Sequence, residues 1–343
     1  QGLQQVQQPA EKEPEDSPRS QLTADSETVV APADREPADS FESSSQSEVE
    51  KTDYPLRYLG LGSLDPESDA RALVTLSTHG GSIVRLELNN PQYQDIQDKR
   101  GYLGHLVGRP HSQGWEVQFV GRGTPAEIAG LRVGDVIGRA TLDGKDQAIG
   151  RLEDLEGLLE ESKVGETIQL EIIRQGQSVA PLGITLTPRP LEIMRPEMGS
   201  QPLADFEAGL HDPFSLLLTL SRIDDTEKLP GERSIGGAEL RDVQWNVSYQ
   251  DPLAVEFELP LTAYDLLLTK RFELARVPTD ELKNPDFKAY HITVEITIEN
   301  RGSKARDVAY LLDGPTGMPV EGWWYSRKIG RTWSGGGLRD VAA

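Results

Sequence analysis

The chain has 343 residues, no cysteine and a formal net charge of −21. The absence of thiols excludes disulfides, Cys-ligated zinc and thiol catalysis. An acidic chain without a cluster of Lys and Arg disfavours nucleic acid and anionic lipid as partners, because phosphate contacts need grouped cations. No apolar run reaches the roughly 18–20 residues that span a bilayer, and the length suggests about two globular units.

In chain order, residues 1–52 come first. They hold one aromatic residue, Phe41, among many Glu, Asp, Ser, Gln and Pro. Such a stretch cannot bury enough apolar surface to offset its ordering entropy, so it reads as a disordered acidic tether. "ALVTLSTHGGSIVRLEL" (72–88) follows, with a hairpin turn over Thr78–Ser82. Val84, Leu86 and Leu88 alternate there with Arg85 and Glu87, the period of a strand with one wet face. From 212 onward the alternation returns: Val243, Trp245, Val247 and Tyr249; Leu253, Val255, Phe257 and Leu259; Leu266, Leu268, Phe272 and Leu274; Tyr290, Ile292, Val294, Ile296 and Ile298. Many one-sided strands predict a mainly β protein of packed antiparallel sheets.

Residues 99–190 depart from this pattern and read as a compact α+β module inserted into the β domain. Helices are predicted at 125–129 and about 151–162, the second with Leu152, Leu155, Leu158 and Leu159 on one face. In "GTPAEIAGLRVGDVI" (123–137), Thr124 suits the N-cap, Pro125 the first helical position, and Glu127 the third position of a capping box. Gly130 suits the left-handed residue that ends a helix.

That ordered set closely resembles the PDZ signature, in the form found in HtrA-type bacterial proteases. Upstream, "RGYLGHL" (100–106) is similar to the carboxylate-binding loop of those domains. The resemblance implies that the amides of Leu103, Gly104 and His105 face a peptide's terminal carboxylate. It also implies that Leu103 lines a pocket for the last apolar residue, and that Leu155 and Leu159 stand on the opposite, helical wall. His105 is a departure from the usual apolar residue and a candidate source of pH sensitivity.

Outside the insert, "LSTHGGSIVRLEL", "LPLTAYDLLLTKRFEL" and "YHITVEITIENRG" together resemble the large periplasmic domain of YidC-type membrane protein insertases. This resemblance implies a galactose mutarotase-like antiparallel β-supersandwich, split as 53–98 and 191–343 and truncated at its C-terminal end. It implies a periplasmic domain of a bacterial inner-membrane protein, without catalysis or cofactor. The domain would aid membrane protein insertion and folding, in a chaperone-like role, through Sec translocon components or nascent membrane proteins. C-terminal peptides would be partners of the PDZ groove.

Catalytic readings find little in the residues. The histidines stand at 79, 105, 111, 211 and 291, and a sugar-binding or sugar-modifying sandwich with a regulatory PDZ would need one of them beside a carboxylate in a cleft. No Gly-x-Ser-x-Gly elbow is present, and no carboxylate is spaced to complete a metal site with His105 and His111. In "EGWWYSRK", one of Trp323 and Trp324 must point away from the core if the segment is a strand, which makes the pair a candidate contact surface.

Overall fold

A computed structural model describes residues 54–318 apart from 97, 197–213 and 285. The tether at 1–52, His211 and the pair Trp323 and Trp324 lie outside the described residues. In chain order the elements are β1 (Tyr58–Gly62), β2 (Ala72–Ser77), β3 (Ser82–Leu88), β4 (Leu106–His111), β5 (Gly114–Val120), α1 (Pro125–Ile128), β6 (Val136–Leu142), β7 (Lys145–Ala148), α2 (Leu152–Leu159) and β8 (Thr167–Arg174). There follow β9 (Gln177–Ser178), β10 (Leu182–Thr185), β11 (Glu192–Met194), β12 (Leu218–Ile223), β13 (Thr226–Glu227), β14 (Asn246–Gln250), β15 (Ala254–Leu261), β16 (Leu266–Leu274), β17 (Ile292–Asn300) and β18 (Val308–Leu312). The protein is mainly β, its sheets are antiparallel, and its helices are few and short.

Three sheets outside the insert share one core. They run β1-β2-β3-β11, β13-β12-β18 and β14-β15-β16-β17. Leu76, Ile83, Leu86, Leu220, Trp245, Phe257, Leu268 and Phe272 all belong to this core. Phe257 and Phe272 meet edge to face with ring centroids 6.0 Å apart, the arrangement that ring quadrupoles favour. The alternation read in β15 and β16 is the alternation observed, with Val255, Phe257, Leu268 and Phe272 fully buried. Tyr249 departs from its row. A bulge between Val247 and Tyr249 shifts the register of β14 against β15, so Tyr249 turns outward and is 44% exposed. An extra residue in a ladder re-aims every side chain beyond it.

A second sheet system, β10-β8-β6-β5-β4 with β7 on β6 and β9 on β8, surrounds a separate core. Trp115, Val117, Ile137, Leu142, Leu155, Ile168 and Leu170 fill it. The chain enters and leaves this unit through adjacent necks, since the Asp95 amide donates to the Arg189 carbonyl and the Leu191 amide to that of Tyr93.

The two units touch along the outer face of β1, β2 and β3. Phe119 of β5 stands against Gly60, and Gly121 lies so close to Leu73 that a Cβ there would fall 2.5 Å from a Leu73 methyl. This contact explains one difference from the sequence reading. The Arg85 and Glu87 face of β3 is covered rather than wet, and Glu87 is wholly buried. Strand periodicity registers which residues share a face; it cannot register a second unit docked on that face.

Candidate peptide-binding site

The site is built from the short helix outward. Thr124 caps α1 by accepting the Glu127 amide at 3.3 Å, and the Glu127 carboxylate accepts the Gly123 amide at 3.3 Å. The first bond satisfies a donor that α1 would otherwise leave unpaired; the second reaches the residue before the cap rather than the cap itself, so the predicted capping box is shifted by one residue. The Thr124 hydroxyl donates to the Gly121 carbonyl at 2.7 Å, and the Ala126 amide donates to the Leu103 carbonyl at 2.8 Å. The capped helix therefore holds the 102–105 loop in place.

Gly104 sits in that loop at φ +125°, and a Cβ on it would lie 2.7 Å from the Thr124 Cβ. Gly104→Ala is expected to cost roughly 1–3 kcal/mol of backbone strain, and the clash with Thr124 adds to it. Thermal denaturation should register a lower Tm; an unchanged Tm would mean that the loop tolerates a side chain there.

Leu103 is buried in the second core, as is Leu155 of α2, and Leu159 packs partly buried against the same cluster. The structure thus brings the three predicted apolar residues together. Leu103 and Leu155 serve mainly as core, while Leu159 retains an accessible face. The helix ends at Leu159, earlier than its leucine spacing predicts. The Ser162 hydroxyl accounts for this by donating to the Leu159 carbonyl at 2.7 Å and accepting the Gly101 amide at 3.0 Å. Ser162 joins the helix end to the start of the loop, a role its sequence context does not signal.

β4 follows the loop and is an edge of its sheet, paired with β5 alone among the described residues. Such an edge offers unpaired backbone groups to an added strand. The amides of Leu103 and Gly104 are engaged by no hydrogen bond within the described residues, whereas the His105 amide donates to the Tyr102 hydroxyl at 3.1 Å. The His105 side chain turns inward. Its Nε2 is buried without a hydrogen-bond partner, and its ring lies 6.3 Å from that of Phe119. Burial, reinforced by Arg85 and Arg189, pushes the imidazole well below its ordinary range. His105 is therefore neutral near pH 7.

Among the described residues the remaining histidines do not converge. His79 lies by Phe214 in the β2–β3 turn, His111 ends β4, and His291 lines an open cleft of about 480 Å³ with Tyr93, Asp286, Lys288 and Tyr290. Among the described residues no group of three His, Asp or Glu is placed to hold a metal ion. No helix there is long and apolar enough to cross a membrane.

Residues 94–180 match the PDZ domain family. The insert is a PDZ domain. The serine endoprotease from Yersinia pestis is among the similar solved structures, with 32% identity over 26% of this chain and 29% of that one and a TM-score of 0.21. The chain therefore spans less than a third of that endoprotease. No curated protein matches the chain.

These findings overturn the insertase reading. They support a PDZ domain and a likeness to a serine endoprotease, and nothing in them joins the chain to the YidC-type insertases. The role in membrane protein insertion, the chaperone-like function and the sugar-active alternative go with it, and no support exists for translocon contacts or a membrane-bound parent. The expectation of a non-enzymatic chain is withdrawn: the similar solved structure is that of an endoprotease, and a likeness of that extent assigns this chain no activity. The physical reason is plain in the motifs. "ITVEITIEN" and "LLLTKRFEL" are alternating runs that any half-buried antiparallel strand can carry, so their order was weak evidence of a family. The capped helix and loop of the PDZ signature place several backbone requirements at fixed spacing, and that resemblance survives.

Proposed function

We propose that the module at 99–190, inserted between host segments 53–98 and 191–343, captures polypeptide C-termini. The ligand adds as a strand beside β4, its carboxylate meets the amides of Leu103, Gly104 and His105, and its last side chain enters between the loop and α2 near Leu159. We read the host as a β-supersandwich of the mutarotase type, which its three sheets around one core support. The observation that carries the peptide reading is the conjunction of a free β4 edge with two unengaged amides at its start. Successive amides of this kind form a nest for an anion, and strand addition beside an edge supplies the main-chain bonds.

The test is fluorescence anisotropy on the full chain with a labelled, unstructured peptide ending in a free apolar residue. Its C-amidated twin is the control. Binding is expected for the free carboxylate and a loss of at least about tenfold for the amide, since a charge-assisted contact contributes on the order of 1.5–3 kcal/mol. Equal binding of both peptides would remove carboxylate recognition from the reading.

A further inference from the structure

We infer that the host takes part in ligand recognition: Glu87 of β3, acting through the Tyr102 hydroxyl, holds the His105 amide that a ligand carboxylate needs. The inference rests on the peptide reading above and names a positioning pair for that site, one residue from each unit.

The geometry is a short relay. The Tyr102 hydroxyl donates to Glu87 Oε1 and accepts the His105 amide. The hydroxyl's one proton is thus committed to Glu87, and the nest has two open amides and one occupied. Tyr102 cannot drift away cheaply. Its ring is buried, the Arg189 guanidinium lies 5.2 Å above it, and its backbone exchanges hydrogen bonds of 2.9 and 3.0 Å with Thr187. Glu87 depends on this contact. Its other oxygen, Oε2, is buried without a hydrogen-bond partner, so losing the tyrosine leaves a buried carboxyl with no hydrogen bond at all. A buried carboxylate without partners is strongly disfavoured. A ligand carboxylate that takes the His105 amide must outcompete the hydroxyl as its acceptor, a hydroxyl that the bond to Glu87 holds in place and polarises. Occupancy of the groove therefore competes with the hydroxyl that the host's Glu87 positions.

The relay also sets a pH dependence. Burial is the main cause that raises the Glu87 carboxyl, to about 7, with Arg85 opposing it. Arg85 pairs with Glu192, and Arg189 with Glu192 and Asp98. Arg100 also pairs with Asp98, and Glu156 of α2 lies within electrostatic reach of Arg85, Arg100 and Arg189. Tyr102 is pushed further up by burial and by Glu87, Asp98 is held down chiefly by its hydrogen bond from Arg100, and the His105 imidazole is neutral. Above about pH 7 the Tyr102–Glu87 bond is charge-assisted and about twice as strong as a neutral one, so the latch tightens. Ligand affinity should fall as pH rises through that point. Stability moves in the same direction. The folded state binds more protons than the unfolded state between the ordinary Glu range and about 7, so stability declines with rising pH across that window and is flat above it.

The experiment compares the full chain with Tyr102→Phe and Glu87→Gln, using the free-carboxylate and amidated peptides. Wild type should bind the free carboxylate about fivefold more weakly at about pH 8 than at about pH 6. Glu87→Gln should flatten that profile, and Tyr102→Phe should bind about tenfold more tightly than wild type. Without peptide, the His105 amide should exchange with solvent faster in Tyr102→Phe while the amides of β5 and β8 keep their protection, and that retained protection establishes that the variant is folded. Equal affinities and one common pH profile in all three proteins, or unchanged His105 exchange in Tyr102→Phe, would overturn the relay alone. Failure of all three to bind the free carboxylate would remove the peptide reading and the relay together.

Discussion

Replacing Lys270 by methionine is expected to destabilise the chain by roughly 3–5 kcal/mol, the range for removing one partner of a buried charged contact. Lys270 lies on the core face of β16, between Leu268 and Phe272, and is wholly buried. Its ammonium donates to the carbonyls of Gly80, Gly81 and Leu216 at 3.1, 2.9 and 2.9 Å, and it stands 5.1 Å from the centre of the Trp245 ring. One side chain thus satisfies the inward carbonyls of the β2–β3 turn and of the segment before β12. Methionine matches the length and removes the unfavourable burial of charge, but strands three carbonyls that water cannot reach, each at about 1–3 kcal/mol. The carbonyl term wins. Burial pushes the Lys270 amine down to about 7, and Arg241 pushes in the same direction. The unfolded chain holds that proton up to the ordinary Lys range, so the wild type gains stability relative to the variant as pH rises from about 7 toward that range. Urea denaturation of both proteins across this window checks magnitude and sign together. A difference under about 1 kcal/mol would mean that the carbonyls find other donors.

Lys270 also marks how far the sequence could be read. The alternation Leu266, Leu268, Phe272 and Leu274 puts position 270 on the buried face by period alone, and the lysine there signals a core polar contact. The strand was legible; the partners were not, because Gly80, Gly81 and Leu216 lie 54 residues or more away in the chain. The same division runs through the site. The Thr124 cap of α1 and the left-handed Gly104 are local requirements, and residues 123–130 and 103–105 announce them at fixed spacing. Tyr102 and Glu87 stayed silent, since each looks ordinary in its own element: a tyrosine before a glycine turn, a glutamate on the polar side of a strand. Their meaning arises only when the PDZ domain docks on β3. The Tyr249 bulge is a smaller case, in which the pattern of β14 continues but the ladder slips by a residue.

The second large effect is expected at Asp135, where Asp135→Ala should cost about 3 kcal/mol, the low end for a broken buried ion pair because Arg174 keeps some contact with solvent. Asp135 closes the "RVGD" turn and is 1% exposed. Its carboxylate accepts Arg174 Nε and Nη2, both at 2.7 Å, and the Arg132 amide at 2.8 Å. Arg174 Nη2 reaches on to the Gly130 carbonyl at 2.8 Å. A two-pronged guanidinium contact of this kind fixes direction as well as distance. Here it joins the end of α1, the start of β6 and the end of β8. The acid in the signature is thus a staple for the element that holds the peptide loop, and the arginine that completes it sits 39 residues downstream. Without the acid, the Arg132 amide loses its acceptor and Arg174 loses its anchor, so α1 and the 102–105 loop loosen together. Amide exchange in β5 and β8 should accelerate about a hundredfold, the equivalent of the energy above. Protection in β15 and β16, around the other core, should change far less. Equal losses in both sets would show that the PDZ domain and its host unfold as one unit, with the Phe119, Leu73 and Glu87 contacts strong enough to couple them. Unchanged protection in β5 and β8 would remove the staple altogether.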